Sequence, residues 1–327
     1  MAIAKWFPEL TRATPLRVAA RTVLQARAAG VEHYLKSVKR RPGADPEDVH
    51  QLRVATRRLA AALSIFKPCL DRRARRRLRR ATRNLRRAAG AVRDRDVQQT
   101  LLNERFNHAE RLPASVIEWF RREWQTERRS LQKELKLALL RWAVRFRQSV
   151  AASLVSLAAA NVESNVRPAK LVTTARATLR RRLTQLRAAG RRELHDLDNL
   201  HQLRIAAKRL RYAMEVFAAC YPREFQHDLY LEVERIQEDL GNINDLRILA
   251  ATLTQMGDSL RRHQPDGVEG DAEPLLNLSR DVDRHLHELK SRFLRHWTRG
   301  KQAKFHDRFE RLTKPAPRHV AAPRIYP

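Results

Sequence analysis

The sequence predicts an all-α fold of two pseudo-symmetric helical bundles, and two observations lead to it: the composition and an internal repeat. Of the 327 residues, 43% are hydrophobic and only nine are glycine, while Ala, Leu and Arg dominate. This composition supplies a core and favours helices over a sheet protein punctuated by glycine turns. No stretch of any length shows the alternation of apolar and polar residues that indicates a strand.

The internal repeat is clearest in one motif. The segment His50–Arg53 recurs as His201–Arg204, and this offset of 151 residues holds without a gap for about fifty positions. The same offset pairs Leu59 with Leu210, Phe66 with Phe217, Cys69 with Cys220, Gly90 with Gly241 and Asp94 with Asp245. The segments Ala20–Leu24 and Ala175–Leu179 also look alike, at an offset about four residues longer. Since a repeat marks a duplicated structural unit, each half should form one bundle of about four helices.

The duplication defines the expected domain organisation. One domain spans residues 10–312, with halves at 10–162 and 168–312. The seam near 161–170 contains Asn, Ser and Pro without periodicity, and 263–274 is rich in Gly, Pro and acids, so both are expected to be loops. Residues 313–327 contain four prolines and are expected to form an extended basic tail.

Between these loops the apolar residues recur every three or four positions, which is the period of an amphipathic helix. Two such series are Ala74, Leu78, Ala81, Leu85, Ala88 and Val92, and Leu229, Val233, Ile236, Leu240 and Ile243. The repeated helix also has a start signal, because Asp45 can cap it and Pro46 suits its first turn. Asp198 and Asn199 are expected to do the same work in the second half.

The charge gives the strongest indication of function. The chain has 67 Lys and Arg residues against 36 Asp and Glu, a formal net charge of +31 and a pI near 11.4. So large an excess makes a compact protein repel itself, which predicts a polyanionic partner: nucleic acid, polyphosphate or an anionic membrane surface. A charged surface that serves only solubility needs far less charge.

Other features predict a cytoplasmic protein. Cys69 and Cys220 lack metal-type spacing and are expected to be reduced thiols in the core. The N-terminus lacks the apolar stretch of a signal peptide. The longest apolar run, 149–162, is too short to span a bilayer, so no membrane span is expected.

One face of the repeated helix is the candidate binding surface. At about 100° per residue, His50, Arg53 and Arg57 lie opposite the apolar side. The second copy presents His201, Arg204, Lys208 and Arg211 on the same face, with Tyr212 beside them. Stacked like charges repel by about 0.2–0.5 kcal/mol per pair, and the repeat retains this cost twice. A bound anion that offsets the repulsion is the functional interpretation, and a solvated charged face is the structural alternative.

The segment Asp71–Arg95 is the most basic, with twelve arginines in twenty-five residues. Its apolar series persists, which predicts an Arg-coated bundle helix whose guanidinium groups can each donate two hydrogen bonds to a phosphate. Asp94 and Asp245 are expected to cap or to pair with nearby arginines and not to do chemistry. The predicted polyanion-binding residues are His50, Arg53, Arg57, Arg58, Arg17, Arg21, Arg79, Arg83, Arg86, Arg93, His201, Arg204, Lys208, Arg209, Arg211 and Tyr212.

The two motif histidines allow more than one interpretation. A histidine near a helix start most often makes a structural hydrogen bond, and a contact from a ring N–H to phosphate is the alternative. Metal ligation is not supported, because the neighbours on the helix are cations and not carboxylates or thiols. No nucleophile, paired carboxylate or Gly-rich phosphate loop accompanies them. We therefore expect a protein that is not an enzyme, with neither cofactor nor metal.

These features resemble the CHAD domain, the conserved histidine α-helical domain. The resemblance rests on the duplicated motif, continued by Arg57–Leu59 and Lys208–Tyr212, and on the segments Gly90–Val97 and Leu240–Asp245, and it covers residues 10–312. It implies two helical bundles around a central basic pore that binds inorganic polyphosphate without hydrolysing it. It also implies that the following residues face the pore: His50, Arg53, Arg57, His201, Arg204, Lys208 and Arg211.

The resemblance carries two further expectations. Such domains are often fused to a triphosphate-tunnel domain, whereas this sequence is expected to be a stand-alone CHAD protein. Such a protein could associate with polyphosphate granules. Ala60 stands where the second half has Arg211, so the first half is expected to hold the ligand less tightly.

Two alternatives stay open at this level. A nucleic-acid-binding protein would use the same charge, although only 6% of residues are aromatic and the repeated face lacks the polar side chains that read bases. A phosphohydrolase that uses His50 or His201 would need an acidic metal-binding cluster, which the sequence does not contain.

Overall fold

The computed structural model describes residues 5–40, 45–105, 112–159, 169–263 and 272–314. Within these ranges the chain forms nine α-helices and no strand, apart from a single bridge between Pro15 and Lys170. The helices are α1 (Leu16–Arg40), α2 (Pro46–Ile65), α3 (Arg72–Arg105), α4 (Ala114–Ala159), α5 (Leu171–Gly190), α6 (Leu197–Phe217), α7 (Tyr230–His263), α8 (Glu273–His296) and α9 (Arg299–Thr313). The predicted all-α class is confirmed.

The starts of the two repeated helices follow from their capping residues. The Asp45 carboxylate accepts a hydrogen bond from the backbone N–H of Glu47 at 2.9 Å, as predicted for α2. In α6 the cap is Asp196, whose carboxylate accepts from the backbone N–H of Asp198 at 2.9 Å. The expected caps at Asp198 and Asn199 are therefore wrong, because α6 begins at Leu197 and both residues lie within its first turn.

Each repeated helix is followed by the same short element. A 3-10 turn at Lys67–Cys69 follows α2, and a second at Ala218–Cys220 follows α6. The aligned cysteines end these two turns, and both are buried and free. The repeat thus extends from sequence to local structure.

Within each half, helices that follow one another in the chain pack together, and between the halves, equivalent helices of the repeat pack together. Helices α1 to α4 pack consecutively and α4 returns to α1, while α5 to α8 pack consecutively and α9 lies against α5. Between the halves, α1 contacts α5, α2 contacts α6 and α3 contacts α7. Each of these contacts joins helices at equivalent positions of the repeat.

The two halves share their hydrophobic interior. One core extends through both halves, from Val23 in α1 to Val233 in α7. A second core joins the far ends of the long helices, where Leu102 and Trp124 from α3 and α4 cluster with Leu249 from α7. Apolar burial on this scale holds the halves in a fixed relation and so positions the helix faces between them.

Most of the predicted seam, acidic loop and tail falls on residues 160–168, 264–271 and 315–327, which lie outside the described part of the chain.

Candidate anion-binding channel

Three adjoining cavities lie between the repeated helices α2 and α6, next to α3. Their volumes are about 770, 510 and 360 Å³. Arg57 and Lys208 line both the largest and the middle cavity, and Arg53 and Arg204 line both the middle and the smallest. We call the three together the basic channel, with its wide end at the largest cavity and its narrow end at the smallest.

The channel brings together most of the predicted binding residues. Those that line it are His50, Arg53, Arg57, Arg79, Arg83, Arg86, Arg93, His201, Arg204, Lys208, Arg209 and Tyr212. On the repeated helices this follows from helical period. Leu52 in α2 and Leu203 in α6 are fully buried on the other side, which turns the basic side of each helix into the channel.

The wide end is entirely cationic in its charge. Nine Lys or Arg side chains and no Asp or Glu line it among the described residues. They come from different directions, for example Arg57 from α2, Arg79 from α3, Arg182 from α5 and Lys208 from α6. An anion in this cavity would be contacted by donors on several sides.

The electrostatic cost of this arrangement is visible in the pKa values of its central cations. Burial, together with the charges of Arg57 and Arg204, lowers the pKa of Lys208 to about 6. Burial and the charge of Arg53 lower the pKa of Arg57 to about 10. At neutral pH the lysine therefore loses its proton in the free channel, while the arginine keeps its charge.

The narrow end is of mixed charge. Arg53 Nη1 donates to Asp94 Oδ1 at 2.5 Å, and Arg204 Nη2 lies 4.0 Å from Asp245 Oδ1. The two aspartates therefore pair with arginines of the repeated helices, as the sequence predicts. The pairs orient the guanidinium groups towards the channel but also place negative charge beside it.

The two motif histidines lie at this narrow end in different environments. His201 Nδ1 is 2.9 Å from Asn244 Oδ1, so the ring makes a structural hydrogen bond while it lines the channel. His50 has Arg93 as its neighbour, and burial, followed by the charge of Arg93, lowers the pKa of His50 below its usual value. Asn244 and Arg93 occupy aligned positions of the repeat, so this difference is built into the third helix of each half.

Two predicted binding residues, Arg58 and Arg211, lie outside the channel. Arg58 Nε donates to Glu215 Oε2 at 2.8 Å, and Arg27 Nη2 donates to the same oxygen at 3.1 Å. Arg211 Nη1 donates to Glu234 Oε1 at 3.2 Å. The hydroxyl of Tyr230 lies 3.1 Å from Glu215 Oε1 and 3.3 Å from Glu234 Oε1 and links the two carboxylates. We call Arg27, Arg58, Arg211, Glu215, Tyr230 and Glu234 the buried ion cluster.

Three other expectations change with this placement. Arg17 and Arg21 on α1 do not line the described channel; Arg21 is exposed. Ala60 does line the wide end, whereas Arg211 does not. The difference between Ala60 and Arg211 therefore removes no cation from the channel, and it gives no reason for the first half to hold a ligand less tightly.

The channel also contains cations that sequence reasoning missed, namely Lys67, Arg75, Arg87 and Arg182. Arg75 and Arg87 belong to the same Arg-rich helix as Arg79 and Arg86, and helical period was a signal that could have found Arg75. Arg182 is different, because α5 carries several basic residues and nothing local distinguishes the one that reaches the channel.

Metal-binding clusters and membrane-spanning helices are both absent from the described ranges. No set of three or more His, Cys, Asp or Glu side chains there is arranged to hold a metal ion. No helix there combines the length and the apolar character that crossing a membrane requires.

A family model for the CHAD domain matches residues 15–254, which include both copies of the repeated motif. The chain belongs to the CHAD domain family. The match begins just before α1 and ends within α7, so it contains every residue that lines the basic channel.

Solved structures share this fold. The crystal structure of the CHAD domain from the plant Ricinus communis has a TM-score of 0.63 at 20% identity, over 93% of this chain and 93% of that chain. PptA from Streptomyces chartreusis has a TM-score of 0.61 at 18% identity, over 87% of this chain and 99% of that chain. Identities this low show the fold alone. No curated protein matches the chain in sequence.

Proposed function

We propose that the basic channel binds inorganic polyphosphate and does not hydrolyse it. The observation that carries the proposal is the wide end, where nine Lys or Arg side chains and no described carboxylate surround about 770 Å³. Partly buried cations that face one another are unfavourable without a counter-charge. Phosphate oxygens suit them, since a guanidinium fork donates two parallel hydrogen bonds to one phosphate group.

The extent of the channel favours a chain of phosphates over a single anion. His201 lines the narrow end and Tyr212 the wide end, and eleven residues of α6 separate them, a length of about 16 Å. A linear polymer with a charge on every unit matches a continuous row of cations. Release of its counterions adds to affinity and makes binding weaken steeply with salt.

Nucleic acid fits the channel less well. Tyr212 is the one Phe, Trp or Tyr side chain among the described lining residues, and it is only 7% exposed. Bases would therefore lack the aromatic platforms on which single strands stack. The predicted nucleic-acid alternative is retained as an outcome of the experiment below.

We also propose that the protein acts in the cytoplasm and associates there with polyphosphate granules when the polymer is stored in that form. The binding experiment comes first, because this setting depends on it.

The test is calorimetry with long-chain polyphosphate, double-stranded DNA and RNA at matched phosphate concentration and two salt concentrations. The channel variant is Arg204→Glu with Lys208→Glu. The matched control is Arg121→Glu with Arg122→Glu, which introduces the same two carboxylates at exposed positions of α4. We expect tighter binding of polyphosphate than of DNA, a loss of about a hundredfold or more in the channel variant, and a small change in the control.

Two results would overturn the proposal. Binding of DNA that is as tight as that of polyphosphate, and unchanged in the channel variant, would make the protein a general basic nucleic-acid binder. Orthophosphate released from polyphosphate by the wild type, and abolished by His201→Ala while binding persists, would make it an enzyme.

A further inference from the structure

The outer side of α4 carries a row of exposed apolar side chains outside the channel. Leu137 is 66% exposed, Leu140 65% and Val155 67%. The full row, which we call the α4 stripe, is Leu137, Leu140, Val144, Ala151, Val155 and Ala158. Its spacings of three, four and seven residues place it on one side of the helix over about 30 Å.

The stripe is not part of the core of the described chain. The opposite side of α4 supplies buried residues such as Leu139 and Phe146, where α4 packs against α1 and α3. Helix α4 contributes no residue to the three cavities of the channel. A contiguous exposed row of large apolar side chains is typical of a protein interaction surface.

The sizes of the side chains indicate what covers the stripe. Its first half holds the larger residues, Leu137, Leu140 and Val144, and its second half holds mainly alanines. When two such helices pair antiparallel about a point between Arg147 and Gln148, large residues meet smaller ones. The opposed pairs are Leu137 with Ala158, Leu140 with Val155 and Val144 with Ala151. A parallel pair would instead place leucine against leucine and alanine against alanine, which leaves gaps.

The charges beside the stripe are also unevenly distributed along the helix, in the same direction as the side-chain sizes. The exposed cations Lys136, Arg141 and Arg145 all precede the midpoint, and no charged residue occurs between Gln148 and Ala158. Antiparallel pairing therefore sets the cationic half of one helix against the uncharged half of the other. Arg147 at the midpoint pairs with Glu32 of its own chain, its Nε donating at 2.8 Å, so its charge is already balanced.

We propose that the α4 stripe is the interface of a homodimer in which two copies of this chain pair their α4 helices antiparallel. One helix face buries less than the roughly 1,200 Å² of a standard interface, so the dimer should have a micromolar Kd. Each copy carries a formal charge of +31, and salt screens the repulsion between them. Salt should therefore strengthen the dimer, whereas it weakens the binding of a polyanion.

Sedimentation equilibrium of the full chain, without polyanion, tests the dimer from about 1 to 200 µM and at about 50 and 500 mM salt. We expect the average mass to rise from that of a monomer to that of a dimer as the protein concentration increases. In high salt this rise should occur at lower protein concentration. Leu140→Glu with Val144→Glu should raise the dimer Kd by about tenfold or more. The control Val18→Glu with Leu231→Glu changes two apolar residues that are 48% and 41% exposed elsewhere, and it should behave as wild type.

Cysteine cross-linking tests the antiparallel register. Val144→Cys with Ala151→Cys should give a covalent dimer on mild oxidation, and Val144→Cys alone should not, because residue 144 faces residue 151 of the other copy. Within one helix these positions are about 10 Å apart, too far for a disulfide, and both native cysteines are buried. If the wild type stays monomeric at every concentration, the proposal is overturned. This holds also if the monomer binds anionic vesicles through the stripe, because the stripe would then be a membrane-binding surface. Equal cross-linking of the single variant overturns the antiparallel arrangement.

Discussion

The wide end of the channel and the buried ion cluster come from aligned positions of the repeat, yet one lacks carboxylates and the other contains them. The aligned pairs are Arg58 with Arg209, Ser64 with Glu215, Arg79 with Tyr230 and Arg83 with Glu234, and the longer offset between α1 and α5 pairs Arg27 with Arg182. In the buried ion cluster Glu215 is 1% exposed and joins Arg27 to Arg58. In the wide end the corresponding position is Ser64, an exposed residue with no charge.

The two sets of arginines differ in where their counter-charge comes from. Where the second half supplies its own carboxylates, the cations of both halves are neutralised within the fold. Where the first half supplies serine and arginine, the cations line a cavity without a described carboxylate. The molecule thus satisfies one arginine set internally and leaves the other for an anion from outside, which supports the proposed binding of polyphosphate.

Removal of the internal carboxylate should have the largest effect. Glu215→Gln removes the carboxylate that the buried Arg27 and the partly buried Arg58 share, and we expect the free energy of unfolding to fall by about 3–5 kcal/mol. Urea denaturation measures the loss. Glu273→Gln is the control, because Glu273 pairs with Arg261 and Arg280 at the surface and should cost less than about 1 kcal/mol.

The same variant separates the cluster from the channel. Because none of Arg27, Arg58 and Glu215 lines a cavity of the channel, folded Glu215→Gln should bind polyphosphate as wild type does. Similar losses of stability in both glutamine variants would contradict the assigned role of Glu215.

The converse substitution places a carboxylate in the wide end and should have an intermediate effect. In Ser64→Glu, the new side chain is expected to meet Arg182 and Arg209 as Glu215 meets Arg27 and Arg58. We expect the affinity for polyphosphate to fall by about tenfold, because the added charge competes with phosphate for the same cations. Calorimetry compares the affinity of Ser64→Glu with that of Ser64→Gln, whose side chain has the same size as glutamate but no charge. Equal affinities of the two variants would show that position 64 does not face the bound anion.

The sequence was sufficient to predict the helices and the residues of α2, α3 and α6 that share a side, because helical period decides this. That the basic sides of the two halves face one another rested on the duplication and on the resemblance to the CHAD domain. The sequence could not separate Arg57, which lines the channel, from Arg58, which pairs with Glu215 outside it. That distinction depends on Glu215, which lies 157 positions away in the chain. Burial of a charge is set by a partner from the other half, and no local pattern contains that information.

Arg211 and Arg182 also show that a local sequence pattern does not decide which arginines enter the channel. Arg211 follows the basic face of the motif, but Glu234 on α7 holds it outside the channel. Arg182 belongs to no motif, and it enters the channel because α5 packs beside α6. Tertiary packing, and not residue type, decides which of 67 basic residues face the ligand.

The aligned pair Arg57 and Lys208 gives the smallest effect and the finest comparison. In the free protein the pKa of Lys208 is about 6 and that of Arg57 about 10, against ordinary values of 10.5 and 12.5. A bound polyanion favours the charged lysine, so binding above pH 6 should take up a proton. Affinity should therefore be greatest below about pH 6 and decrease as the pH rises towards 8, by at most about tenfold per unit.

Exchange of the two residues should change this dependence in opposite directions. Lys208→Arg should flatten the decrease between pH 6 and 8 and bind more tightly at pH 8, whereas Arg57→Lys should steepen it, because a second buried lysine then titrates. The pKa of His50 is lowered below its usual value, so its own titration falls towards the acid side of this range in all three proteins. Calorimetry at pH 8 in two buffers with different ionisation enthalpies counts the protons taken up. Equal slopes in the wild type and both variants would mean that Lys208 keeps its charge in the empty channel, and that burial and the repulsion from Arg57 and Arg204 together cost too little to require an anion.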